Sequence, residues 1–171
     1  MERKFTIGGL ELRPLSSTDR IILVVYATAM LFQIMIEFQL PQFRIHGLFL
    51  IGFAIGLMTV STPLGLRFRG VYFSTIWLIV SIIFLTRGTS LSLIPINTFI
   101  LYHILRFVFW KKYGKEFIPY DAVRGGYLRF VSKIEGRGGY KEDRQFMHLL
   151  LWTGVIIVMI SIFGMNGLKL E

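Results

Sequence analysis

Cysteine is absent from the chain, and that omission removes disulfides, thiolate metal sites, thiol nucleophiles and cysteine-linked lipids from consideration. Histidine is nearly as scarce, with copies only at positions 46, 103 and 148. These three never fall at a ligand-pair spacing, and no second axial group lies at the depth of His103, so neither zinc chemistry nor haem is expected, nor any other cofactor. Acidic residues number 10 against 19 Lys and Arg. Within the apolar stretches only Glu37 is acidic, which leaves no paired carboxylates there for general acid–base work. G-x-S-x-G, H-E-x-x-H and phosphate-binding glycine loops are missing too, so the usual catalytic signatures are lacking. The first 20 residues lack an apolar core followed by a small-residue cleavage site, and Glu2, Glu11 and Asp19 interrupt any acid-free presequence. No cleavable signal peptide or mitochondrial presequence is expected, and a bacterial inner membrane is the default location.

What the chain has in quantity is apolar surface. Hydrophobic residues make up 54% of it and charged ones 17%, with a mean hydropathy of +0.62, more than a soluble fold of 171 residues could hide. Crossing a hydrocarbon core of about 30 Å takes about 20 mostly apolar residues. Five runs approach that length: Ile21 to Leu40, stopped by Pro41; Phe43 to Thr62; Leu66 or Val71 to Thr86; Ser90 to Trp110; and Leu149 to Met165. The fourth contains Pro95, Asn97, His103 and Arg106, making it the least apolar and a candidate for a kink. The fold expected is an all-α polytopic bundle of about five transmembrane helices, with Ser16, Ser17, Thr18 and Asp19 as possible N-cap residues of the first.

Charge orients the bundle, because cytoplasmic connections retain Lys and Arg. Four precede the first run (Arg3, Lys4, Arg13, Arg20), Arg67 and Arg69 follow the second, and nine lie between the fourth and fifth. Only Arg44, Arg87 and Lys169 occupy the alternate connections, so the N-terminus is expected inside and the C-terminus outside. A re-entrant fourth segment would put the nine-charge loop on the side of Arg87 and weaken that asymmetry. Trp110, Tyr113, Tyr120 and Trp152 then fall near the cytoplasmic boundary, where amphipathic rings prefer to lie. The chain divides into a cytoplasmic segment 1–20, a four-helix region 21–110, a basic cytoplasmic loop 111–148, and a final helix with a short external tail, 149–171.

Small residues mark helix contacts. Gly52 and Gly56 form a G-x-x-x-G face in the second run, with Gly47 before it, and Gly154 and Ser161 stand seven apart in the fifth, as Ser74 and Ser81 do in the third. The contact is either within the bundle or between subunits.

Polar residues in hydrocarbon cost at least ~2.5 kcal/mol when ionisable, so each needs a partner or a wet cavity. Gln33 and Glu37 share a helix face, four residues apart, at a depth matching Asn97, with Arg44 and Arg87 at the outer boundary within reach of Glu37. They are expected either to form an ion pair of Glu37 with Arg87 or Arg44 plus an amide contact between Gln33 and Asn97, or to line an outward-facing cavity or pore. Deeper toward the cytoplasm, His103 and Arg106 are three apart on one face; Arg106 has the reach to snorkel to water, and His103 either bonds to a neighbouring helix or relays protons.

The loop from Lys111 to His148 carries nine bases and five acids. Val123, Tyr127, Val131 and Ile134 recur at helical spacing opposite Arg124, Arg129 and Lys133, predicting a short amphipathic helix on the inner leaflet, weakened by Gly125 and Gly126. Lys111, Lys112, Lys115, Arg124, Arg129 and Lys133 are the expected contacts to anionic headgroups or to a partner protein. The repeated Arg-Gly-Gly-Tyr at 124–127 and 137–140 is read as flexible turns, and nucleic-acid binding is not expected. Function is accordingly expected to be that of a non-enzymatic membrane subunit in a homo-oligomer or a larger complex. The alternatives are a small oligomeric channel or transporter subunit lined by Gln33, Glu37, Asn97 and His103, and a lipid-modifying membrane enzyme.

Overall fold

The computed structural model describes residues 6–7, 10–118 and 141–167. A minimal antiparallel hairpin pairs β1 (Thr6–Ile7) with β2 (Leu10–Glu11). The rest is helical: α1 (Ser17–Gln39), α2 (Arg44–Phe53), α3 (Thr59–Ser61), α4 (Val71–Leu85), α5 (Ile94–Tyr113) and α6 (Lys141–Gly167). A π turn, Ala54–Met58, joins α2 to α3, so that Pro41–Ser61 is one continuous helix. Four of the resulting helices are long and apolar enough to cross a membrane, and α4 is a shorter apolar one. The protein is therefore an all-α, multi-pass membrane bundle.

Local chemistry sets the helix ends. Ser16 caps α1 in a reciprocal box, its hydroxyl accepting from the Asp19 N–H (3.2 Å) while the Asp19 carboxylate accepts from the Ser16 N–H (2.9 Å). Pro95 occupies the first turn of α5 rather than kinking its middle. That position suits it, since the first-turn N–H groups have no helical acceptor anyway. Gly114 ends α5 at φ +64°, a left-handed conformation that side chains resist, and its N–H returns to the Trp110 carbonyl at 2.8 Å.

The polar fourth run is explained by where it sits. Helix α5 packs against α2 with its π turn, α3, α4 and α6, while α1 lies across α2 and α4. Of the crossing helices α5 is the most enclosed, with 44% of its span buried against 22–33% for the others. Thr98, Tyr102 and Arg106 thus meet protein instead of lipid, while Asn97 and His103 are half-buried. The outward faces of α1 and α6 carry Val24, Leu31, Phe32, Ile156, Ile160 and Phe163, as a lipid-facing surface requires.

Of the two starts expected for the third run, Leu66 or Val71, the helix takes Val71, and the start of the last helix differs from expectation. Helix α4 spans only 15 residues because Pro63–Arg69 forms a 3-10 turn ahead of it, and that turn buries Phe68 completely among Phe73, Trp77, Phe99 and Tyr102. Apolar area that a longer helix would have buried is supplied by a folded-in turn. Helix α6 begins at Lys141, two turns before the apolar run at Leu149, because Asp143, Met147 and Leu150 bury one face of that charged stretch. Residues 111–113 and 141–148 consequently belong to helices. The amphipathic helix expected around Val123–Ile134 lies outside the described residues.

The glycine groove is filled from within. A Cβ on Gly52 would stand 3.2 Å from the Leu91 carbonyl oxygen, and one on Gly56 would stand 2.9 Å from Thr98 Oγ1 and 3.2 Å from Pro95 Cα. The start of α5 therefore sits in the G-x-x-x-G face. Gly154 likewise admits the Leu57 side chain, and Ser161 turns its hydroxyl to the Ile157 carbonyl at 2.9 Å.

Candidate functional site

Polar side chains gather at the two ends of the bundle. At the end distal to the N-terminus, Glu37 lies 3.7 Å from Arg44 and 3.6 Å from Arg87, and Arg44 also donates to the Arg87 carbonyl at 2.7 Å. Three segments are tied by one carboxylate. Gln33, fully buried, donates from Nε2 to the Arg44 carbonyl (3.1 Å) and to Glu37 (3.3 Å). No amide contact links it to Asn97, which instead lines a cleft with Ser90, Leu93, Ile157, Ser161 and Gly164. The reason is Gly47. Without a side chain there, the Gln33 amide lies over the α2 backbone, where Nε2 is taken by Arg44 and Glu37 and Oε1 is left without a partner.

Gly47→Ala places its methyl on Gln33 Oε1, so the amide must shift, and its two Nε2 hydrogen bonds are expected to be lost with it. A buried amide left unpaired costs about 1–3 kcal/mol. Thermal unfolding in detergent is expected to show that loss, and Gly47→Ala is expected to cost much less in a Gln33→Ala background. Equal costs in both backgrounds would show that the amide is not what the methyl displaces.

At the N-terminal end, carboxylates are buried against arginines. Asp19 is paired with Arg67, and Arg13 stands 3.9 Å from it. Glu11, carried on β2, meets Arg69 at 3.0 Å, with both side chains less than one-tenth exposed. Arg106, one of the residues expected to face a cavity or to snorkel, is instead buried on Glu116. The left-handed turn at Gly114 sends the chain back along α5 and delivers that carboxylate ten residues later.

Between these pairs lies an aromatic cluster centred on Phe68. The rings of Trp77, Tyr102 and His103 stand with centroids 5.2, 5.6 and 6.1 Å from it. Among the described residues, seven buried side-chain polar atoms have no hydrogen-bond partner, and five of them are here: Arg69 Nε and Nη1, Trp77 Nε1, Tyr102 Oη and His103 Nε2. Folded proteins leave few such atoms, so their concentration in one place marks the cluster out. Chemically, it is a set of three N–H donors, on Arg69 and Trp77, with a hydroxyl and an imidazole nitrogen that can donate or accept, held by apolar rings.

The residues expected to line a pore thus divide among three places: Gln33 with Glu37, Asn97 in the α5–α6 cleft, and His103 beside Phe99 and Phe68. Lys111, Lys112 and Lys115 are exposed at the N-terminal end, whereas Arg124, Arg129 and Lys133 lie outside the described residues. Glu11, Arg69, Trp77, Tyr102 and Glu116 were not singled out from sequence. One signal for them exists in Leu66-Arg67-Phe68-Arg69, where large apolar residues alternate with charge in what reads as a connection. In comparisons with protein-family models, curated proteins and solved structures, nothing matches the chain.

Proposed function

We propose that the chain is a non-enzymatic integral membrane subunit that presents its basic segment, residues 119–140, to a partner protein or to the anionic inner leaflet. The supporting observation is how that segment is rooted. On one side, Glu116 is pinned by Arg106 and the Ile118 N–H donates to Asp143 at 3.2 Å. Phe109, Tyr113 and Phe117 then pack on Phe146 of α6, with centroids 5.1–6.3 Å apart. Buried charges and rings at residues 116–118 and 143–146 fix the two points that flank the basic segment, which favours recognition over a passive tether.

Each basic residue near an anionic surface contributes about 1 kcal/mol. Replacing Arg124, Arg129 and Lys133 together by glutamine is therefore expected to strip bound anionic lipid or a co-purifying protein from the gently extracted molecule. Native mass spectrometry and crosslinking read this directly. A protein that is monomeric, free of both, and indistinguishable from the triple variant would refute the reading. A channel draws less support, because its expected lining residues occupy separate places and two of the four, Gln33 and Glu37, are already paired.

A further inference from the structure

We infer that the donor cluster around Phe68 binds an uncharged, carbonyl-bearing molecule taken from the lipid phase. This goes beyond the proposed subunit role and does not depend on it. Arginine and tryptophan nitrogens only donate hydrogen bonds, while the tyrosine hydroxyl and an imidazole nitrogen can each donate one. A partner for Arg69 Nε and Nη1 and for Trp77 Nε1 must therefore bring acceptors, while Tyr102 Oη and His103 Nε2 can take either role.

Charge then selects among acceptors. Arg69 is already paired with Glu11, and Arg106 with Glu116. What remains on offer is hydrogen bonding without an uncompensated cation, which suits a carbonyl better than a phosphate. Phe68, Phe73, Trp77 and Phe99 supply flat apolar surfaces beside those donors. The approach is from lipid, since His103 is only half-buried and is flanked on α5 by the outward-facing Ile100, Ile104 and Phe107.

Two sources share this chemistry, the ester carbonyl of a phospholipid and the ring carbonyls of a quinone. Trp77 reports on both once Trp110 and Trp152 are changed to phenylalanine. The protein is placed in nanodiscs of ester-linked or ether-linked phospholipid, and a short-tailed oxidised quinone is titrated into each. Saturable quenching of Trp77 assigns the quinone. A Trp77 emission shift between ester and ether discs, with no quinone effect, assigns the phospholipid. In either case Tyr102→Phe and His103→Phe are expected to weaken the response by about tenfold each, the worth of one hydrogen bond, whereas His103→Gln, which keeps an N–H, retains it. Identical Trp77 emission in both lipids with no saturable quenching would mean that water alone occupies the cluster and would overturn the inference. A response that all three variants leave unchanged would overturn it as well.

Discussion

Arg106→Ala is expected to cost about 3–5 kcal/mol of stability, the penalty for removing one member of a buried ion pair. Both side chains of the Arg106–Glu116 pair are only 5% exposed, so little water reaches Glu116 to compensate. A loss of that size is a large part of the 5–15 kcal/mol that holds a typical domain together. Glu116→Gln should be milder, because the amide oxygen still accepts from the guanidinium. The informative variant is the pair Arg106→Met with Glu116→Leu, expected to lie closer to wild type than Arg106→Ala alone, since apolar replacement of a buried ion pair is often near neutral. Thermal or denaturant unfolding in a fixed detergent ranks the three. If Arg106→Ala falls within 1 kcal/mol of wild type, the pair is solvated and does not root the loop.

Gly56→Ala is expected to be the next most damaging, at about 1–3 kcal/mol from overpacking. Its methyl would meet Thr98 Oγ1 at 2.9 Å and the Pro95 Cα at 3.2 Å. The Thr98 hydroxyl is itself held by the Ile94 and Pro95 carbonyls, so it has little freedom to withdraw. Adding Thr98→Ala should recover part of the loss, while the Pro95 contact remains. The same substitution also locates the groove. Because α5 of the same chain fills it, unfolding should shift without any change in oligomeric state by native mass spectrometry. Dissociation of an oligomer at unchanged protomer stability would place the groove between subunits instead.

The ion-pair cluster at the end distal to the N-terminus could be anticipated from residue positions, and the one at the N-terminal end could not. Glu37, Arg44 and Arg87 lie at the ends of consecutive apolar runs, so helix rise alone brings them to one level. Two of the three carboxylates at the N-terminal end reach their partners by ways that periodicity does not encode: Glu11 on a hairpin and Glu116 after a left-handed turn at Gly114. Arg67 and Arg69 were counted as charges in a connection. They are charges in a connection that folds inward, carrying Phe68 to the middle of the bundle.

Sequence by itself determined the class of this protein, an all-α membrane bundle, because length and transfer energy leave an apolar run of about 20 residues few other states. It also marked α5 as the polar helix and the glycines as contact points. Tertiary structure alone decided that α5 is enclosed, that the glycine groove is filled by the chain itself, and that unpartnered donors collect around Phe68. Those outcomes depend on which helix faces which, and hydrophobic spacing is silent on that when lipid and protein neighbours are equally apolar.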